Sequence, residues 1–147
     1  MYQRILVATD GSELSNKAID HAVRLAATCG AELIAATVIP VYPRGYYDGS
    51  LSLPKEEIDR IKNSWADIGR KHLDVVRDAG AAQNVKVTEV IAESDLISDA
   101  LLGLAAKHQA DLIVMASHGR RGMSRLLLGS ETQQVVTHAR IPVLILH

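Results

Sequence analysis

The sequence predicts an α/β domain: a doubly wound, five-stranded parallel sheet with helices on both faces. Three observations carry this. Five short apolar runs recur along the chain, the segments between them carry a 3.6-residue apolar period, and the two kinds alternate as β-α-β-α-β-α-β-α-β. Runs apolar on both faces suit a parallel sheet covered on each side, and right-handed crossovers distribute the helices over both layers.

The strand runs are 4–9 (RILVAT), 32–39 (ELIAATVI), 85–92 (VKVTEVIA), 111–117 (DLIVMAS) and 141–147 (IPVLILH). The first helix follows Ser12, with Leu14, Ala18, Ala22 and Leu25 on one face, and Gly30 stands just past its end, where a left-handed residue is favoured. Pro54 opens a long second helix that aligns Ile58, Ile61, Trp65 and Ile68, which assigns Trp65 to the core. A third stripe, Ile97, Leu101, Leu104 and Ala105, follows a Ser94-Asp95 cap. Ser130 with Gln133 reads as a capping box opening a fourth helix of about ten residues. One connection is long, 40–54, and rich in Pro, Gly and Tyr; loops of that length in a compact domain are often lids or binding loops.

At 147 residues the chain reads as one domain, 1–147, large enough to hide roughly two-thirds of its unfolded surface. Internal repeats and low-complexity tracts are absent from the sequence. A net charge of -1 argues against an extended basic face for nucleic acid, and one Trp, four Tyr and no Phe make a base-stacking platform poor. No apolar run approaches the roughly 18 residues of a membrane span, and MYQRILVATDG lacks the charged leader and apolar core of a signal peptide. The single Cys29 fits a reducing compartment and a small packed residue rather than a reactive thiol. The expected setting is the cytoplasm.

In open α/β sheets ligands bind beyond the carboxyl ends of the strands, where the winding reverses. The first strand runs into Asp10-Gly11-Ser12, the second into the Tyr-rich loop, and the fourth, ending Met115-Ala116-Ser117, into HGRRGMSRLLLGSETQQ. That last stretch has the parts of an anion site. Gly119 and Gly129 permit positive φ and close backbone approach, and Gly129 stands at the mouth of a helix whose free N–H groups and dipole favour a phosphate. Arg120, Arg121 and Arg125 offer bidentate donors, and Ser117, Ser130 and Thr132 offer hydroxyls. The two glycines can bring amides from both ends of one loop onto a phosphate chain.

From RILVATDGSE to IPVLIL the chain resembles the universal stress proteins. The nucleotide-binding branch of that family is marked by Gly, two residues, Gly, nine residues, then Gly-Ser or Gly-Thr. Here the last two elements stand as Gly119, nine residues and Gly129-Ser130, while position 116 is Ala in place of the first glycine. The resemblance implies a Rossmann-like, adenine nucleotide alpha hydrolase-like sheet of order 3-2-1-4-5, with strands 1 and 4 side by side. It implies ATP or AMP as ligand, with adenine and ribose near Ala8, Thr9, Asp10, Val38 and Met115. Phosphates would then lie along Ala116, Ser117, His118, Gly119 and Arg120 and at Gly129, Ser130, Glu131 and Thr132. It further implies a homodimer through the nearly uncharged edge strand 141–147. The leading expectation is a stress-response module in which nucleotide orders the 40–54 and 118–128 loops.

Individual residues carry two readings. Asp10 suits ribose, or a Mg2+ ion bridging phosphates, and equally suits an ordinary Asp-Gly-Ser turn. Tyr42, Tyr46 and Tyr47 suit a cover over adenine or a surface loop. His118 lacks a partner that would make it catalytic; His21, His72, His108, His138 and His147 show no metal-ligand spacing and read as helix-surface or terminal residues. The sequence has no Walker A run, no Gly-x-Gly-x-x-Gly turn and no Ser-Gly-Gly loop of the related pyrophosphatases, so binding rather than efficient catalysis is expected. A slow ATP hydrolase and a ligand-free interaction protein are the alternatives.

Overall fold

The chain runs β1 (Arg4–Ala8), α1 (Glu13–Cys29), β2 (Glu32–Ile39), α2 (Lys55–Ala82), β3 (Val87–Glu93), α3 (Ile97–Lys107), β4 (Leu112–Ala116), α4 (Ser130–His138) and β5 (Val143–Leu146) in a computed structural model. The structure describes residues 1–43, 53–119 and 128–147. The five strands form one sheet of order β3-β2-β1-β4-β5, and all four pairings are parallel. The winding reverses between β1 and β4, as expected, with Ile5, Leu6 and Val7 in register with Leu112, Ile113 and Val114.

Alternation along each strand divides the core. Ile5, Val7, Leu33, Ala35 and Val114 pack with Ala18, Ala22 and Val23 of α1 and Leu73 and Val76 of α2. Leu6, Ile34, Ala36, Ile113 and Met115 pack with Leu101 and Ala105 of α3 and Val135 of α4. Cys29 is half-buried against the first of these clusters. Helix α1 begins and ends as its sequence dictates. The Ser12 hydroxyl accepts from Ser15 N–H, and Gly30 takes the left-handed conformation (φ 67°) that the closing turn needs.

Three predictions about helices change. The buried residues of α2 are Gly69, Leu73, Val76 and Gly80, while Ile68 is 43% exposed. The reason is length: 28 residues of helix span roughly 42 Å, against about 26 Å for the eight residues of β2, so only the second half of α2 lies over the sheet. Trp65 is therefore half-buried, its ring 6.2 Å from that of Tyr42, at the wall of a cleft of about 480 Å³ shared with Ile39, Pro40, Lys62 and Glu93. Helix α3 is not capped by Ser94-Asp95: the Ser94 hydroxyl accepts from Leu96 N–H in a preceding turn, and Leu96, at the cap position, contributes no side-chain bond. Ile97 is 40% exposed and lies off the buried stripe. Helix α4 starts one residue earlier than a Ser130 cap requires, with Gly129 as its cap.

At the amino end of the sheet the charges satisfy one another. Asp111 accepts from the backbone of Gln3 and Arg4, and Glu32 pairs with Lys86 at 3.0 Å and Arg4 at 3.8 Å. The hydrogen bond and charge of Lys86 hold the Glu32 carboxyl below its ordinary range. The carboxyl end is organised differently, and it carries the candidate site.

Candidate functional site

Two connections meet where β1 and β4 end. After β1, Thr9 N–H donates to the Ala36 carbonyl at 3.0 Å, and the Thr37 hydroxyl donates to the Thr9 carbonyl at 2.8 Å, anchoring the turn to β2. The Thr9 hydroxyl accepts from Gly11 N–H and lies 3.2 Å from the Ser15 hydroxyl. Asp10 Oδ1 accepts from Ser12 N–H at 3.0 Å. The turn is thus tied by its own side chains, as Asp-Gly-Ser chemistry allows. Gly11 is required here: φ is 80°, and a Cβ would collide with the imidazole of His72. His72 therefore reaches from α2 onto this turn instead of facing solvent. Ser15, Thr37 and His72 were not legible as supports, although Ser15 three residues after Ser12 is the spacing a cap contact needs.

After β4, the chain leaves at Ser117 and returns at Gly129. Gly129 N–H donates to the Ser117 carbonyl at 2.7 Å, which closes the loop at its base. A Cβ on Gly129 would stand 3.3 Å from His118 Cα, and one on Gly119 would collide with Oδ2 of Asp10. Both glycines are needed for close approach. Of the two properties glycine permits, close approach is the one used, and neither residue has positive φ: Gly129 has φ −60° and ψ 155°, and Gly119 lies outside the left-handed region. The Gly119 contact brings the two connections together, so Asp10, Gly119, His118 and Gly129 form one junction.

The capping box is replaced by an open helix end. Gly129 supplies the carbonyl that Gln133 N–H binds at 2.9 Å, but it has no side chain to cap the first turn. The N–H groups of Ser130, Glu131 and Thr132 have no carbonyl one turn back, and no side chain among the described residues takes them. Side chains around them are committed. The Thr132 hydroxyl, buried, donates to the Ala116 carbonyl at 3.0 Å; Glu131 Oε2 accepts from Ser98 N–H of α3 at 3.0 Å; the Ser117 hydroxyl lies 3.1 Å from His118 Nδ1.

Ala8, Val38 and Met115 share the α3/α4 face of the sheet. Ala116 ends β4, buried, and alternation turns its methyl to the opposite face, so the residue that departs from the family motif does not crowd theirs. Arg120, Arg121, Arg125, Tyr46 and Tyr47 lie outside the described residues, while Tyr42 is with Trp65. Among the described residues no His, Cys, Asp and Glu cluster could hold a metal ion, and no helix is long and apolar enough to cross a membrane.

Over residues 1–147 the chain matches the model of the universal stress protein family. It belongs to that family. The universal stress protein YxiE of Bacillus subtilis is 33% identical over 99% of both chains. Among solved structures, that of MJ0577, a universal stress protein of Methanocaldococcus jannaschii, superposes with a TM-score of 0.82 at 25% identity, covering 99% of this chain and 96% of that one. A universal stress protein in complex with cAMP is 31% identical with a TM-score of 0.68, over 99% and 97% of the two chains. The universal stress protein fold therefore holds over the whole length, and a relative of similar sequence has been crystallised with an adenine nucleotide.

Proposed function

We propose that this universal stress protein binds ATP or AMP at the junction of β1 and β4 and acts as a stress-response regulatory module. The observation that carries the reading is the open first turn of α4, closed at its base by the 2.7 Å bond from Gly129 to Ser117. Three amides on a positive helix end favour an anion with several acceptor oxygens, such as a phosphate. The same-face apolar residues Ala8, Val38 and Met115 provide a surface for adenine, beside the Thr9-Asp10 turn. The relative complexed with cAMP supports an adenine nucleotide over other anions.

On this reading the phosphates take the backbone of Ala116 to Arg120 and the amides of Ser130, Glu131 and Thr132. Asp10 offers its carboxylate to ribose, or to a Mg2+ ion that takes its remaining ligands from phosphate and water. One carboxylate fits a cation only if phosphate comes with it. The half-buried residues of β5, at the edge of the sheet, suit antiparallel pairing with a second copy, so the proposed state is a homodimer.

The test is direct. Protein freshly purified and denatured should release adenine nucleotide into the supernatant, and the stripped protein should bind AMP or ATP in calorimetric titration. No released nucleotide together with no heat at millimolar ligand would sink the reading.

A further inference from the structure

Two helix N-termini, those of α3 and α4, stand on the same face of the sheet, and neither has a capping side chain at its own cap residue: Leu96 and Gly129 contribute none. A single carboxylate serves both. Glu131 lies in the first turn of α4, where the helix dipole favours a negative charge, and its Oε2 accepts from Ser98 N–H in the first turn of α3 at 3.0 Å. Ser98 is 9% exposed, so without Glu131 its part-buried amide would lose the side-chain partner it has.

The same first turn of α4 is held on its other side. Thr132, one residue on, is 3% exposed and donates its hydroxyl to the Ala116 carbonyl of β4. The first turn of α4 is thus held between β4 and α3 through Glu131 and Thr132, and no side chain among the described residues takes the N–H groups of Ser130, Glu131 and Thr132. A cradle of N–H donors serves a phosphate only while its geometry is kept, because misaligned bonds weaken steeply.

We propose that the Glu131 side chain is a positioning residue for the phosphate cradle: it acts through α3, while its own backbone N–H faces the ligand. This rests on the nucleotide-binding reading above. A carboxylate kept in the first turn of α3 is also kept off the incoming phosphate, which removes the repulsion a free Glu131 would exert.

The experiment compares wild type, Glu131→Ala and Glu131→Gln with AMP and with adenosine as probes, alongside hydrogen exchange at Ser98. Glu131→Ala should weaken AMP binding about five- to tenfold, the loss expected for one ordinary net hydrogen bond, while adenosine affinity moves less than about twofold. Glu131→Gln, which keeps an acceptor oxygen, should recover most of the loss, and the Ser98 amide should exchange faster in the Ala variant alone. Unchanged or tighter AMP binding by Glu131→Ala overturns the proposal, as does an equal loss for AMP and adenosine, or Ser98 protection that is the same in all three proteins. Wild type that binds neither probe overturns the nucleotide reading itself, a result separate from any difference among the variants.

Discussion

Helices α1 and α4 both begin just beyond the carboxyl end of a strand next to the reversal of winding, yet their first turns are finished in opposite ways. At α1, Ser12 caps Ser15, Asp10 takes Ser12 N–H and Thr9 takes Gly11 N–H. At α4 the cap residue is a glycine with nothing to offer, and the adjacent hydroxyl and carboxylate are turned to β4 and α3. At the first end a side chain of the cap residue takes an amide of the opening turn, and the turn before it is tied by Thr9 and Asp10. At the second, no side chain among the described residues takes an amide of the opening turn. Positive helix ends are common in this fold, and the disposition of neighbouring side chains decides which of them can take an anion.

The comparison can be broken most forcefully at Gly11. Gly11→Ala puts a side chain at φ 80° and into the ring of His72, and should cost about 2–3 kcal/mol in chemical denaturation. Adding His72→Ala should recover part of that loss, leaving the backbone strain; full additivity of the two losses would show that the ring is not what Gly11 accommodates. Gly129→Val probes the open end. Its side chain meets His118 Cα and the Ser117 carbonyl, and AMP affinity should fall about tenfold, near 1.4 kcal/mol, with a smaller change in melting temperature.

The two serines sharpen the contrast. Ser12→Ala removes a real cap and should destabilise by about 1 kcal/mol with AMP affinity little changed. Ser130→Ala should stay within about 0.5 kcal/mol of wild type, because the hydroxyl is not at the cap position. Equal losses for both would restore the capping box that the sequence suggested.

The smallest effect belongs to the opposite end of the sheet. Because Lys86 lowers the folded-state pKa of Glu32, this pair contributes stability above the ordinary carboxylate pKa near 4.5, and the contribution is lost as pH falls through the lowered folded value. Lys86→Met should therefore narrow the stability difference between pH 7 and pH 3 slightly. An unchanged pH dependence would mean the exposed pair contributes nothing measurable, as many surface pairs do.

The strand-helix alternation, the nine elements of the described residues and the α1 caps were legible in the sequence because each depends on neighbours within one or two turns. So was the meeting of loops beyond β1 and β4, through the strand order that the resemblance implied. The misreadings have one origin. Trp65 and Ile68 followed the helical period but overhang the sheet, which only the relative lengths of α2 and β2 reveal. His72 looked like surface until α2 was laid against the Gly11 turn.

Ser130 was read as a cap from local pattern, whereas the bond from Gly129 to Ser117, twelve residues away, fixes where α4 begins. What the sequence determined by itself is therefore whatever periodicity and local hydrogen bonding can encode: the class of fold, the order of its elements and the segments from which a ligand site is drawn. Which side chains turn away from the first turn of α4, why Gly119 and Gly129 are closely approached, and which helix holds Glu131 were decided only by tertiary structure. Those properties belong to pairs of groups distant along the chain, and no residue carries them until packing brings its partner into contact.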